Sequence, residues 1–186
     1  SSNSQIADSF FTNNSVLGSD GGALYLLSGA QTISNTSFTG NSAIGSNGIP
    51  GTNGRGGAIF ISTTATLALL DSNFNNNVAR GVNGSNGFGG ALFSGGATTI
   101  TQTRFISNSV SAGVGQGGLG SLGGAIYIDQ TAVNVISSTL TNNLADAGGA
   151  IYNSRLLTVT ASLLNGNRST GEGGGAIFIR ANTTTI

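Results

Sequence analysis

The chain has 186 residues, a formal net charge of zero and only 6% charged residues, and it contains no His, Cys, Met or Trp. The usual transition-metal sites, thiol chemistry and Ser-His-Asp triads are thereby excluded, and with no basic stripe the chain is not expected to bind a phosphate backbone. Gly, Ser, Thr and Asn make up more than half of the sequence, a composition that reads as disorder unless it is periodic.

It is periodic, and the period can be followed along the chain. The first repeat has an apolar mark at Ile6, the pair Phe11/Asn14 and the string Gly21-Gly22-Ala23-Leu24-Tyr25. The second has Ile33, Phe38/Asn41 and a string running from Gly56 to Phe60. The third has Leu69, Phe74/Asn77 and Gly89 to Phe93; the fourth has Ile100, Phe105/Asn108 and Gly123 to Tyr127. The fifth has Val135, Leu140/Asn143 and Gly148 to Tyr152; the sixth has Val159, Leu164/Asn167 and Gly174 to Phe178. The step from mark to Phe or Leu is always five residues, whereas 6, 14, 11, 14, 4 and 6 residues separate the Asn from the Gly-Gly pair. Each repeat is therefore a fixed path with one elastic corner, since loops tolerate insertion and stacked strands do not.

Short alternating segments such as Leu157-Thr158-Val159-Thr160, with no long helical period, predict an all-β fold: a parallel β-helix of about six coils. Equivalent residues then stack about 4.8 Å apart. Phe11, Phe38, Phe74 and Phe105 become an internal file, and Asn14, Asn41, Asn77, Asn108, Asn143 and Asn167 a ladder of side-chain amides. Gly-Gly suits a tight corner or close backbone approach. A hydroxyl column (Ser9, Thr36, Ser72, Thr103, Ser138, Ser162) is read as bonding local backbone at a bend.

The Gly-Gly-Ala-[Ile/Leu] and Phe-x-x-Asn signatures together resemble the repeats of the chlamydial polymorphic outer-membrane proteins, and are similar to pectin-lyase-like surface repeats. That resemblance implies a right-handed parallel β-helix displayed outside the cell or on its surface, used for adhesion or surface structure. Leu140 and Leu164 depart from the pattern, standing where Phe is expected. No β-barrel anchor is recognisable, so an anchor or export module is expected to lie outside this segment.

Residues 1–186 read as a single solenoid domain. Ile186 falls where a seventh apolar mark belongs, so Ile6 to Ile186 spans six whole periods, and neither end carries a helical or charged cap. No signal peptide or initiator Met is visible. The expectation is either a window from a longer solenoid or a subunit that stacks head to tail.

Several side-chain groups are candidates for contact. Tyr25, Phe60, Phe93, Tyr127, Tyr152 and Phe178 form one column beside an Ile/Leu column, and strand neighbours face opposite ways. The reading taken is Ile/Leu inside and aromatics outside, as a stripe for ligand or lateral contact; the alternatives are an inner aromatic column or a cross-strand stacking device. The long corners 42–55, 78–88 and 109–122 lie in consecutive coils and form a candidate binding edge. Asp8 and Asp71 share a column two coils apart. Asp146 and Glu172 precede Gly-Gly in adjacent coils, Asp20 and Arg55 are placed to pair, and Asp129 and Arg180 share a further column. Asn83, Asn13, Asn35 and Asn182 are candidate glycosylation sites; Asn167, also a sequon, is discounted as a ladder position.

No catalytic, cofactor or metal site is predicted. The leading expectation is a non-enzymatic extracellular rod, adhesin-like or a fibre subunit. Its partners would be further copies end to end, neighbouring surface proteins or glycans, with no nucleic acid and no membrane insertion within the segment. A polysaccharide-binding or polysaccharide-cleaving β-helix is the alternative, and ice binding by an interrupted Thr row is the third.

Overall fold

The computed structural model describes residues 3–47, 51–113, 120–180 and, for the backbone, 183–185; Asn182 and Ile186 lie outside the described residues. Its regular elements are all strands, and every pairing among the described residues is parallel. The third coil illustrates the path: Ala65–Leu70, Asn73–Asn75, Val78–Arg80, Gly87–Phe88, then Leu92–Ser94. Stacked coils make four long sheets. The first, containing Ala65–Leu70, has seven strands; the second (Asn73–Asn75), third (Val78–Arg80) and fourth (Leu92–Ser94) have six each. The chain is a parallel β-helix of about six coils.

The register follows the repeat residue for residue. Ile6, Ile33, Leu69, Ile100, Val135 and Val159 pair in sequence along the first sheet. Phe11, Phe38, Phe74, Phe105, Leu140 and Leu164 do so along the second.

Three columns of left-handed residues turn the chain at the same places in every coil. The first is Asp8, Asn35, Asp71, Gln102, Ser137 and Ala161, with φ between 45° and 51°; the second is Asn13, Gly40, Asn76, Ser107, Asn142 and Gly166, at 54–65°. The third is the leading Gly of each Gly-Gly-Ala string, at 63–70°. Asn and Asp tolerate this region better than other residues with a Cβ, which accounts for their frequency at the first two bends.

The second Gly of the string is needed for a different reason. Its φ is ordinary, but a Cβ on Gly57 would stand 2.0 Å from the carbonyl oxygen of Gly90, and one on Gly90 2.2 Å from that of Gly124. The coils approach so closely here that no side chain fits.

The main core is an axial column of Ile33, Leu69, Ile100 and Val135 from the first sheet, the Phe file from the second and Ile59, Leu92, Ile126 and Ile151 from the fourth. The rings of Phe11, Phe38, Phe74 and Phe105 stack at 4.6–4.8 Å, within 12° of parallel. Isolated aromatic pairs favour offset-parallel or edge-to-face contact; here the interstrand spacing selects the parallel arrangement over the edge-to-face one.

Candidate functional surface

The inner rungs of the Asn column, Asn41, Asn77, Asn108 and Asn143, are fully buried and their amides are saturated, while Asn14 at one end is exposed. Asn77, fully buried, donates from Nδ2 to Phe38 O (2.9 Å) and Asn108 Oδ1 (2.9 Å), and its Oδ1 accepts from the backbone N–H and Nδ2 of Asn41, both at 3.0 Å. The same pattern carries through Asn108 and Asn143 to Asn167. The hydroxyl column also bonds backbone: Ser72 Oγ donates to Leu70 O (2.7 Å) and accepts from Thr36 N (3.1 Å).

The aromatic column faces away from the main core, with the Ile/Leu column inside. It is also the cross-strand stack that the sequence left as an alternative. Tyr25, Phe60, Phe93, Tyr127, Tyr152 and Phe178 form one continuous file, with centroids 4.8–5.3 Å apart. The expectation of an exposed stripe is corrected: Phe60, Phe93 and Tyr152 are buried, Tyr127 and Phe178 are partly buried, and only Tyr25 is open, at 49% exposed.

What covers the file are four of the residues that precede a Gly-Gly-Ala string: Arg55, Phe88, Leu122 and Ala147. The Arg55 guanidinium sits over Phe60 and Phe93, with its carbon 5.2 and 5.4 Å from their ring centroids. Phe88 lies against Tyr127 at 5.0 Å, and Leu122 and Ala147 pack with Tyr152 in a second apolar cluster. These covering residues pair with one another in parallel, Arg55 with Phe88, Phe88 with Leu122 and Leu122 with Ala147. The long corners therefore end in an extra ladder laid over the aromatic file. The sequence carried a signal for this that the repeat columns did not use: Phe88 belongs to none of them, and it occupies the position of Arg55 and Leu122.

The long corners do lie side by side. Gly54 N–H donates to Asn86 O (3.1 Å) and Gly113 N–H to Ser85 O (2.9 Å). Residues 48–50 and 114–119 of these corners are outside the described residues.

Charged groups are dispersed. Asp20 and Arg55 form a bidentate pair, Nη2 to Oδ2 at 2.8 Å and Nε to Oδ1 at 3.0 Å. Burial pushes the Asp20 carboxyl above its usual range, against the opposing pull of Arg55. Asp8 and Asp71 sit exposed on the first bend with Asn35 between them, and Asn35 Nδ2 donates to Asp8 Oδ1 at 2.6 Å. Asp146 is occupied by Ser121 N–H (2.8 Å) and the Thr170 hydroxyl (2.8 Å). Among the described residues no group of three or more His, Cys, Asp or Glu could hold a metal ion. Tyr127 has its phenol pushed up by burial, with a Ser154 hydrogen bond pulling it down, and Asp129 and Arg180 acting in opposite directions.

Three predicted acceptor asparagines, Asn13, Asn35 and Asn83, are exposed, but their sequon hydroxyls are engaged. Ser85, of the Asn83 sequon, is buried, and its Oγ donates to Thr52 O and Val82 O, both at 2.6 Å. Ser15 Oγ accepts from Ser42 (2.9 Å), and Ser37 Oγ shares a hydrogen bond with Thr39 (3.3 Å). Asn167 is in the ladder, and Asn182 falls outside the described residues.

Three stretches, residues 8–26, 35–62 and 137–154, match the Chlamydia polymorphic membrane protein (Chlamydia_PMP) repeat. No curated protein and no solved structure matches the chain. No helix among the described residues is long and apolar enough to cross a membrane.

Proposed function

We propose that the chain is a non-enzymatic length of rod in a protein displayed at the cell surface, where it extends, spaces or presents other parts and contacts neighbouring surface molecules. One observation carries this reading: the files of Asn, Phe and outer aromatic side chains run across the coils with their polar atoms and ring faces used for coil-to-coil contact. The match to the polymorphic membrane protein repeat supports the surface location. Self-association end to end, with another coil continuing the ladders, is the contact this repeat favours.

The test is labelling of intact source cells with antibody raised against the corner around Asn83, with electron microscopy of the released protein. Labelling of unpermeabilised cells and narrow rods are expected. Signal only after permeabilisation, or globular particles, would overturn the proposal.

A further inference from the structure

We propose that Asn83 is a self-modifying position, converted in the folded protein to a mixture of aspartate and isoaspartate through a cyclic imide closed by the backbone nitrogen of Gly84. The Gly84 nitrogen gives its proton to hydroxide and bonds to Cγ of Asn83. Nδ2 takes a proton from water, which restores the hydroxide, the Cγ–Nδ2 bond breaks and ammonia leaves. Water then opens the imide at either carbonyl, giving aspartate or, with the chain rerouted through the side chain, isoaspartate. No redox partner is needed.

The chain has five Asn-Gly steps, at Asn47, Asn53, Asn83, Asn86 and Asn165. Glycine lets the backbone nitrogen approach the side chain because no Cβ obstructs the ring closure. Structure then separates the steps. Gly54 N–H is bound to Asn86 O at 3.1 Å, and Gly87 N–H to Ser121 Oγ at 3.0 Å; both glycines belong to the corner ladder and are buried. Those nitrogens must leave the ladder before they can attack. Gly84 N–H donates no hydrogen bond among the described residues, and Asn83 is exposed. Among the described residues the Asn83 side chain is tied only by a 3.4 Å contact from Nδ2 to Asn47 Oδ1. Asn83 and Gly84 are both left-handed, with φ of 47° and 84°, and the Asn83 carbonyl accepts only a long bond from Gly51 N–H, at 3.4 Å, among the described residues. Gly48 lies outside the described residues, and Gly166 donates no hydrogen bond among them, so Asn53 and Asn86 are the discriminating comparison.

The product matters because the corner is wedged. A Cβ on Gly51 would stand 2.0 Å from Val82 O, and one on Gly113 would stand 2.6 Å from Asn83 N. An extra backbone methylene at Asn83 lengthens the chain path between such close neighbours. Modification is expected to loosen the stacked corners and make them easier to cleave.

The experiment ages the full chain, made in a host without N-glycosylation, in mildly alkaline buffer at physiological temperature. Peptide mass mapping follows each Asn-Gly step, and isoaspartyl methyltransferase labelling identifies the rearranged product. In the folded chain Asn83 should convert at least about tenfold faster than Asn53 and Asn86, because ladder amides react only after local opening; in urea the three rates should converge. Asn83→Gln should remove the fast phase. Equal rates in the folded chain, faster conversion at Asn53 or Asn86, or an unchanged Asn83 would overturn the proposal.

Discussion

Asn77 uses both amide hydrogens and its carbonyl oxygen inside the coil. Removing that amide leaves the Asn41 N–H and Phe38 carbonyl without their partners in a buried setting. Asn77→Ala should therefore cost about 3 kcal/mol, and Asn14→Ala, at an exposed rung, less than about 1 kcal/mol; urea denaturation of the two variants checks the difference. Glycines separate in the same way. Gly90→Ala drives a Cβ into the Gly124 carbonyl and should cost more than about 4 kcal/mol. Gly173, left-handed but with nothing within 4 Å, should tolerate Ala for about 1 kcal/mol. Tyr127 ties residue chemistry to pH. Its folded pKa lies above the ordinary 10.0, so its contribution to stability is fully present below that pH and is lost as pH rises through the raised value. Tyr127→Phe should remove this part of alkaline destabilisation, read from melting temperatures across an alkaline series.

At the scale of the element, each file is a repeated strand contact whose strength depends on its neighbours. Leu140 and Leu164 continue the Phe file in the same register, so the site accepts an aliphatic residue of near-equal volume. Phe74→Leu should cost about 1 kcal/mol and Phe74→Ala about 4 kcal/mol, measured by denaturant unfolding. The outer aromatic file depends on a different element, the ladder of Arg55, Phe88 and Leu122 at the ends of the long corners. The insertions that vary most in length thus end in residues that cover the outer aromatic file. This is why an outward column, legible in the sequence as a contact stripe, is mostly shut off from solvent.

For the whole molecule, the consequence of a one-dimensional stack is that a coil is a removable unit. Leu67 pairs with Thr98, so residues 67–97 make one full turn. Their deletion should leave a folded parallel β-helix with each long sheet shorter by one strand, reduced in stability but with an unchanged type of circular dichroism spectrum. A deletion ending five residues earlier should abolish folding, because it shifts every later side chain to the wrong position. Protease resistance of the two variants checks this.

The sequence by itself determined the coil. Residues that recur at fixed spacing must meet their equivalents once strands stack at a single interval, so the Phe file, the Asn ladder, their register and the Asp20–Arg55 pairing were all legible. The two left-handed bend columns were not read from it, because Gln102, Ser137 and Ala161 in the first and Ser107 in the second stand where Asn, Asp or Gly would have marked them. Only the tertiary structure decided what covers what. Period-two alternation separates inside from outside but does not say whether the outside is wet. That depended on Arg55 and Phe88, at the ends of segments with no fixed length, folding back across the rings of neighbouring coils.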